Sequence, residues 1–307
     1  MVAIGRWMSV DTSGLSFDVN CSILFTELPL LERPAAAKAA GFDAVEFWWP
    51  FAGPVPGDRE ADAFVTALGD AGVSLVSLNF TAGDMAAGER GWLSQPGNSA
   101  GFRANIPACA DIAKRTGCTR LNALYGNRVD GVPAERQDEL AAENLALAAA
   151  AAAEIGAVVL IEALNSYESP RYPLVSAASA VDVVKGMRAR GDGADGNGLG
   201  GNGPGGNGPG GNSPGRDGAG RNAAFLADLY HLARMGEDLA GVLSGYRELI
   251  GHVQIADVPG RGAPGTGTIG YEALLRQLAE QGYPGYVGLE YKPAGPGDSS
   301  TSFSWLR

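Results

Sequence analysis

The sequence predicts an α/β protein, a single-domain (β/α)8 TIM barrel, and three observations carry that prediction. Eight short runs rich in β-branched and aromatic residues recur along the 307-residue chain. Between them lie stretches whose apolar residues repeat with helical period. Most of those stretches end at a glycine just ahead of the next strand, a sensible helix stop. Eight such units close naturally into one barrel, an architecture that routinely uses about 250 or more residues as one domain.

Taken in order, strands are expected at 17–23 (FDVNCSI), 44–50 (AVEFWWP), 74–80 (SLVSLNF) and 120–126 (RLNALYG). The second half adds 158–165 (VVLIEALN), 224–231 (AFLADLYH), 252–258 (HVQIADV) and 285–291 (GYVGLEY). Helices are expected over 28–41, 58–72, 100–117, 133–156, 176–191, 237–251 and 271–282. Pro34 and Pro107 fall inside two of these and are expected to kink or shorten a turn. An open doubly wound sheet is the competing arrangement. No GxGxxG follows the first strand, so a dinucleotide-binding version has no support.

One segment stands apart from this rhythm. Between Gly191 and Gly220, 15 of 30 residues are glycine, and the centre is three tandem pentapeptides, GGNGP, GGNGP and GGNSP. With no side chains to bury and a high ordering entropy, 191–220 is expected to be a flexible insertion within a single barrel spanning 1–307. It connects a helix to the next strand, which places it at the end of the barrel away from the chemistry.

Composition removes several function classes. The net charge of −11 repels phosphate backbones and anionic lipid, so neither nucleic acid nor a membrane surface is an expected partner. No apolar run reaches the ~18 residues needed to span a bilayer. The first residues lack the sustained apolar core of a signal peptide. Three cysteines, odd in number and without metal-ligand spacing, fit a reduced cytoplasmic setting. With only His231 and His252, no histidine-cluster site can be built. Self-association is left open.

Polar residues inside the strands point to the chemistry. Glu46, Glu162, Asp228, Gln254 and Glu290 sit near the C-terminal ends of their strands, where a barrel gathers its active site. Burying a carboxylate there is costly unless it is paired or binds a metal. Asp228 to Gln254 is 26 residues and Gln254 to Glu290 is 36; Glu162 to Asp228 is 66, or 36 without the 30-residue glycine segment. Glu162, Asp228, Gln254 and Glu290 therefore come from four consecutive strands. All offer oxygen, which suits a hard divalent cation, Mg2+ or Mn2+, better than a structural zinc.

With those residues in view, the chain resembles the hydroxypyruvate isomerase family of xylose isomerase-like barrels. The resemblance rests on NCSILFTELPLLER (20–33), GFDAVEFWWP (41–50), GDMAAGERG (83–91) and IEALN (161–165). The most specific stretches are DLYH (228–231), GHVQIADVPGRGAPGTG (251–267) and GYVGLEYKPAG (285–295), with a closing SWLR (304–307). It implies metal ligation by Glu162, Asp228, Gln254 and Glu290, with Glu162 and Glu290 also the acid/base pair. His231 and Arg261 match substrate contacts of related ketose epimerases, and Lys292 and Arg90 are further candidate contacts. Glu168, six residues after Glu162, matches an epimerase contact to substrate hydroxyls and gives weight to a larger substrate.

The implied reaction interconverts hydroxypyruvate and tartronate semialdehyde through an enediolate, one glutamate removing a carbon-bound proton and the other returning one. A four-carbon 2-oxo sugar acid isomerase or a ketose 3-epimerase could use the same site, and a sugar-binding barrel without catalysis is the alternative of another class. Glu46 either orients substrate or pairs with a neighbouring strand end. His252 is expected to be structural, Cys21 to be core, and at most one of Trp48 and Trp49 to line the barrel mouth.

Overall fold

The structure is a computed structural model that describes residues 14–194, 222–293, 295 and 299–306. Its strands are β1 (Ser16–Asn20), β2 (Ala44–Phe47), β3 (Ser74–Asn79), β4 (Arg120–Asn122), β5 (Val158–Glu162), β6 (Ala223–Asp228), β7 (Ile250–Ile255) and β8 (Tyr286–Leu289). All neighbours are parallel, and β8 pairs with β1 to close the barrel in sequence order.

Alternation along each strand decides which residues meet. Val19, Val45, Leu121, Val159, Ile161, Phe225, Ala227, Val253, Val287 and Leu289 belong to the large apolar core that the helices cover. Their neighbours in sequence, on the other face, are polar: Asp18 and Asn20, Glu46, Asn122, Glu162, Asp228, His252 and Gln254, all buried. Period-2 geometry turns one apolar set outward and this polar set into the barrel. Leu160, Ala224 and Leu226 form a separate apolar cluster.

The helices are α1 (Arg33–Ala39), α2 (Asp58–Ala71), α3 (Ser99–Thr116), α4 (Ala134–Glu154), α5 (Ala177–Ala194), α6 (Leu229–Arg234), α7 (Leu239–Gly245) and α8 (Tyr271–Glu280). In α4, the buried residues Ala141, Leu145, Ala148, Ala149 and Ala152 recur at three- and four-residue spacing, the stripe expected of a helix on a sheet. Gly72 and Gly117 close α2 and α3 in the left-handed conformation.

Three expectations need correction. Pro34 lies in the first turn of α1, where its missing N–H costs nothing, and α3 continues through Pro107. The strands end earlier than their apolar runs suggest, so 48–50, 123–126 and 163–165 are connections at the barrel mouth. The run AFLADLYH is not one strand: β6 stops at Asp228, whose carboxylate caps α6 by accepting from the Tyr230 and His231 N–H groups at 2.8 and 3.2 Å.

Most of the glycine segment, 191–220, lies outside the described residues. Its flanks are α5, which ends at Ala194, and β6, which begins at Ala223. The connection thus enters β6 at its N-terminal end, opposite the end that carries Asp228.

Candidate active site

A cavity of about 640 Å3 opens at the C-terminal ends of the strands. Seven of the ten site residues expected from sequence line it: Glu162, Glu290, His231, Arg261, Lys292, Arg90 and Glu168. Asp228 and Gln254 are 2% and 4% exposed and are not on its wall. They face one another in register between β6 and β7. Glu46 also stands off the wall and is 1% exposed.

Each acidic group has a specific support. Glu162 accepts from Asn122 Nδ2 at 2.8 Å. Glu290 accepts from Asn20 Nδ2 at 2.9 Å and from Trp48 Nε1 at 2.7 Å, and it pairs with Arg261. Arg261 also lies 3.8 Å from Asp228 Oδ2. Trp49 turns its indole to the Gly53 carbonyl instead, so one tryptophan of the pair reaches the site.

Burial, then the charge of Glu290 and of Asp228, holds the Glu162 carboxyl well above the usual range. Burial and Glu290 do the same to Asp228. For Glu290, burial raises the pKa and Arg261 pulls against it, with a net rise. The site therefore concentrates more negative charge than its one paired guanidinium offsets. Among its donors, Gln254 Oε1 is buried without a hydrogen-bond partner. Three crowded carboxylates beside an orphaned amide oxygen are an oxygen-only donor set that fits a hard divalent cation.

His231 is neutral, because burial and then the charges of Arg261 and Arg90 push its pKa well below the usual value. Its Nδ1 accepts from the Asn165 backbone N–H at 3.1 Å and lies 2.8 Å from Asn165 Nδ2. That assignment places the ring proton on Nε2, which sits 3.6 Å from Asp228 and 4.0 Å from Glu162. Glu168 accepts from Tyr230 Oη at 2.9 Å and Asn165 Nδ2 at 3.0 Å. Burial pushes its pKa up, but those two donors together with the charges of Arg261 and Lys292 outweigh burial and leave it lowered.

Two loops carry the arginines. Arg90 donates to Ser169 Oγ and to the Met85 and Glu89 carbonyls, which locks it against its own loop. Gly91 beside it has φ +98°, and a Cβ there would lie 2.0 Å from the Leu124 carbonyl oxygen. Arg261 sits in the loop after β7 with φ +56°. Asp257 organises that loop by accepting from the N–H groups of Val258, Gly265, Gly267 and Ile269, all at 2.8–2.9 Å. Gly267 is required there, since a Cβ would lie 1.8 Å from the Val258 carbonyl oxygen.

Sequence reading missed Asp257 and the asparagines Asn20, Asn122 and Asn165. The usable signal was local for Asp257, an Asp heading a Gly/Pro-rich loop, because Asp side chains bond the backbone just ahead of them. For Asn20 and Asn122 it was the strand alternation, which puts each amide on the inward face with the acids; Asn165 lies past the end of β5, where alternation gives no signal.

A family model described as the xylose isomerase-like TIM barrel matches residues 34–191 and 217–307, leaving out most of the glycine segment. A Streptomyces coelicolor protein provisionally named hydroxypyruvate isomerase is 56% identical over 94% of this chain and 95% of its own. The Escherichia coli hydroxypyruvate isomerase is 30% identical over 91% and 94% of the two chains. A Cupriavidus necator 2-oxo-tetronate isomerase is 32% identical over 95% and 97%. Among solved structures, a Brucella melitensis protein described as AP endonuclease, family 2, superposes with a TM-score of 0.77 at 32% identity, covering 95% of this chain and 98% of that one. The chain therefore belongs to the xylose isomerase-like TIM barrel family, in its hydroxypyruvate isomerase branch.

Proposed function

We propose that the chain is a metal-dependent isomerase of a small hydroxy-oxo acid, interconverting hydroxypyruvate and tartronate semialdehyde through an enediolate. The observation that carries this reading is the set of Glu162, Asp228, Glu290 and the unpartnered Gln254 oxygen beside a cavity lined by three cationic side chains. Glu162, Asp228, Gln254 and Glu290 would hold Mg2+ or Mn2+, which supplies polarisation of adjacent carbonyl and hydroxyl oxygens.

The chain's own residues do the rest. Glu162 and Glu290 both line the cavity, so they are the carboxylates that serve as the acid/base pair on a substrate held there. One takes the proton from the hydroxymethyl carbon of hydroxypyruvate, and a proton is returned to the neighbouring carbon. The hydroxyl proton moves to the former carbonyl oxygen, so the two isomers balance without any outside reductant. His231, with its proton on Nε2, is placed to donate to a substrate oxygen. Arg90 and Lys292 suit the substrate carboxylate, because Lys292 lines the cavity with no ion-pair partner among the described residues.

A four-carbon 2-oxo acid is the second reading. It is favoured by the similarity to 2-oxo-tetronate isomerases and by Glu168, an ionised acceptor on the same cavity for further hydroxyls. Phosphodiester cleavage is disfavoured despite the endonuclease name of the Brucella relative: the net charge is −11 and His252 is fully buried away from the cavity.

Proton NMR of hydroxypyruvate in deuterated buffer tests the proposal, with Mn2+ or Mg2+ and with chelator. Metal-dependent loss of the hydroxymethyl signal with growth of tartronate semialdehyde is the expected result. Absence of exchange with hydroxypyruvate, but exchange with a 2-oxo-tetronate, moves the assignment to the longer acid.

A further inference from the structure

The residue that fits least well among the expected substrate contacts is Glu46. It lies off the cavity wall, yet its carboxylate gathers three donors: Gln254 Nε2 at 2.7 Å, Asn20 Nδ2 at 3.1 Å and His252 Nε2 at 2.8 Å. The residue opposite in space is Gly288, where a Cβ would come within 2.9 Å of Glu46 Oε1, 3.0 Å of Gln254 Cγ and 3.1 Å of His252 Nε2. The barrel keeps its interior open at this point, and the three polar side chains meet there.

We propose that Glu46 is a positioning residue that fixes the Gln254 amide, binding its NH2 so that its oxygen is the atom left for a cation. A primary amide has a donor end and an acceptor end of nearly the same shape, and only its partners decide which way it turns. A carboxylate offers lone pairs alone, so it accepts the NH2 and repels the oxygen. Gln254 Oε1 is accordingly the atom without a partner. His252 and Asn20 occupy two more lone pairs of Glu46 and hold it in place, and Asn20 reaches on to Glu290. This inference rests on the metal reading above, and it converts Glu46 from a substrate contact into the group that prepares a ligand.

The test is Mn2+ affinity of the full chain, stripped with chelator and titrated by calorimetry or electron paramagnetic resonance. Glu46→Gln is expected to weaken Mn2+ binding about 10- to 100-fold, the usual scale for losing an outer-sphere partner. A glutamine there can accept as well as donate, so the Gln254 amide loses its preferred turn. The exchange variant E46Q/Q254E is expected to recover affinity to within about threefold of the original chain. It rebuilds the same hydrogen bond in reverse, with the amide now on β2 and the carboxylate on β7, and it leaves a carboxylate oxygen where the amide oxygen was. Wild-type affinity in E46Q overturns the inference, as does an exchange variant that folds but binds no better than E46Q. If E46Q does not fold, the exchange variant alone decides by the same threefold criterion. Glu162→Gln separates this inference from its premise. If E162Q binds Mn2+ as tightly as the original chain, the metal reading fails. If E162Q loses Mn2+ while E46Q keeps it, only the role of Glu46 fails.

Discussion

Two acidic groups share the inside of one barrel, and they solve the same problem in opposite ways. The upper one is Glu162, Asp228 and Glu290, at the strand ends beside the cavity. The lower one is Asp18, Glu46 and His252, whose nearest ligand atoms lie within 4.8 Å of one another. Both are buried, so both face the cost of charge in a poor solvent. In the lower group, Glu46 gathers three donors, whereas both oxygens of Asp18 lack any partner and burial, then Glu46, pushes its pKa well up. In the upper group, asparagines, an indole and Arg261 each take part of the charge but none saturates it. On the proposed reading, what sets the upper group apart is its position beside an open cavity, more than burial, which the two groups have in common.

The largest expected effect comes from breaking the upper group. Glu162→Gln and Glu290→Gln should each lower turnover by about 10²- to 10⁴-fold, the range for losing a general acid or base. The exchange of substrate carbon-bound hydrogen with deuterated solvent reads this directly. Near wild-type rates in both variants would remove these glutamates from the reaction and leave the two acidic groups functionally alike.

A smaller loss is expected at the loop that delivers Arg261. Asp257→Ala strands four backbone N–H groups, so the chain should lose at least about 2 kcal/mol of stability. Because Arg261 is the cation paired with Glu290, catalytic efficiency should fall by about tenfold or more as well. Thermal melts and kcat/KM check the two parts. Unchanged kcat/KM in a destabilised variant would mean that the loop holds Arg261 without help from Asp257.

The lower group gives a pH-dependent effect of opposite sign. Asp18 has a folded pKa above the ordinary carboxylate value of about 3.9. The folded chain therefore holds its proton more tightly, and the stability linked to Asp18 is full below that value and declines as pH rises towards the folded pKa. Asp18→Asn removes the titration. It should match the original chain near pH 4 and be more stable at pH 8, by on the order of 1 kcal/mol. Melting curves at the two pH values test this, and parallel behaviour would show that Asp18 carries no such cost.

The two groups were not equally legible in the sequence. Glu162, Asp228, Gln254 and Glu290 stood out because an acid or amide inside an apolar strand is conspicuous, and parallel βα units repeat at a readable spacing. Glu46 was conspicuous for the same reason, but its depth was not, since depth depends on the stagger between strands rather than on the order of residues. Asp18 passed unnoticed beside Phe17 and Val19 because a strand with one exposed face would carry it without cost. The closed barrel removes that exposed face. Strand ends were overextended for a related reason: the connections at the barrel mouth are as apolar as the strands, and Trp48, Leu124 and Leu164 in them line the cavity.

The smallest effect is expected furthest from both groups. The connection between α5 and β6 joins the barrel at the N-terminal end of β6, while Asp228 closes its C-terminal end, the last residue of a six-residue strand. Strand rise is about 3.3 Å per residue, so the five steps from Ala223 to Asp228 span about 16 Å. No group in the proposed chemistry acts over that distance except through the fold itself. Deleting 192–218 should therefore leave turnover within about tenfold of the original, roughly 1.4 kcal/mol in the barrier. A larger loss, in a variant whose melting point is unchanged, would mean that this end of β6 communicates with Asp228, and the separation between a reactive upper end and an inert lower end would need revision.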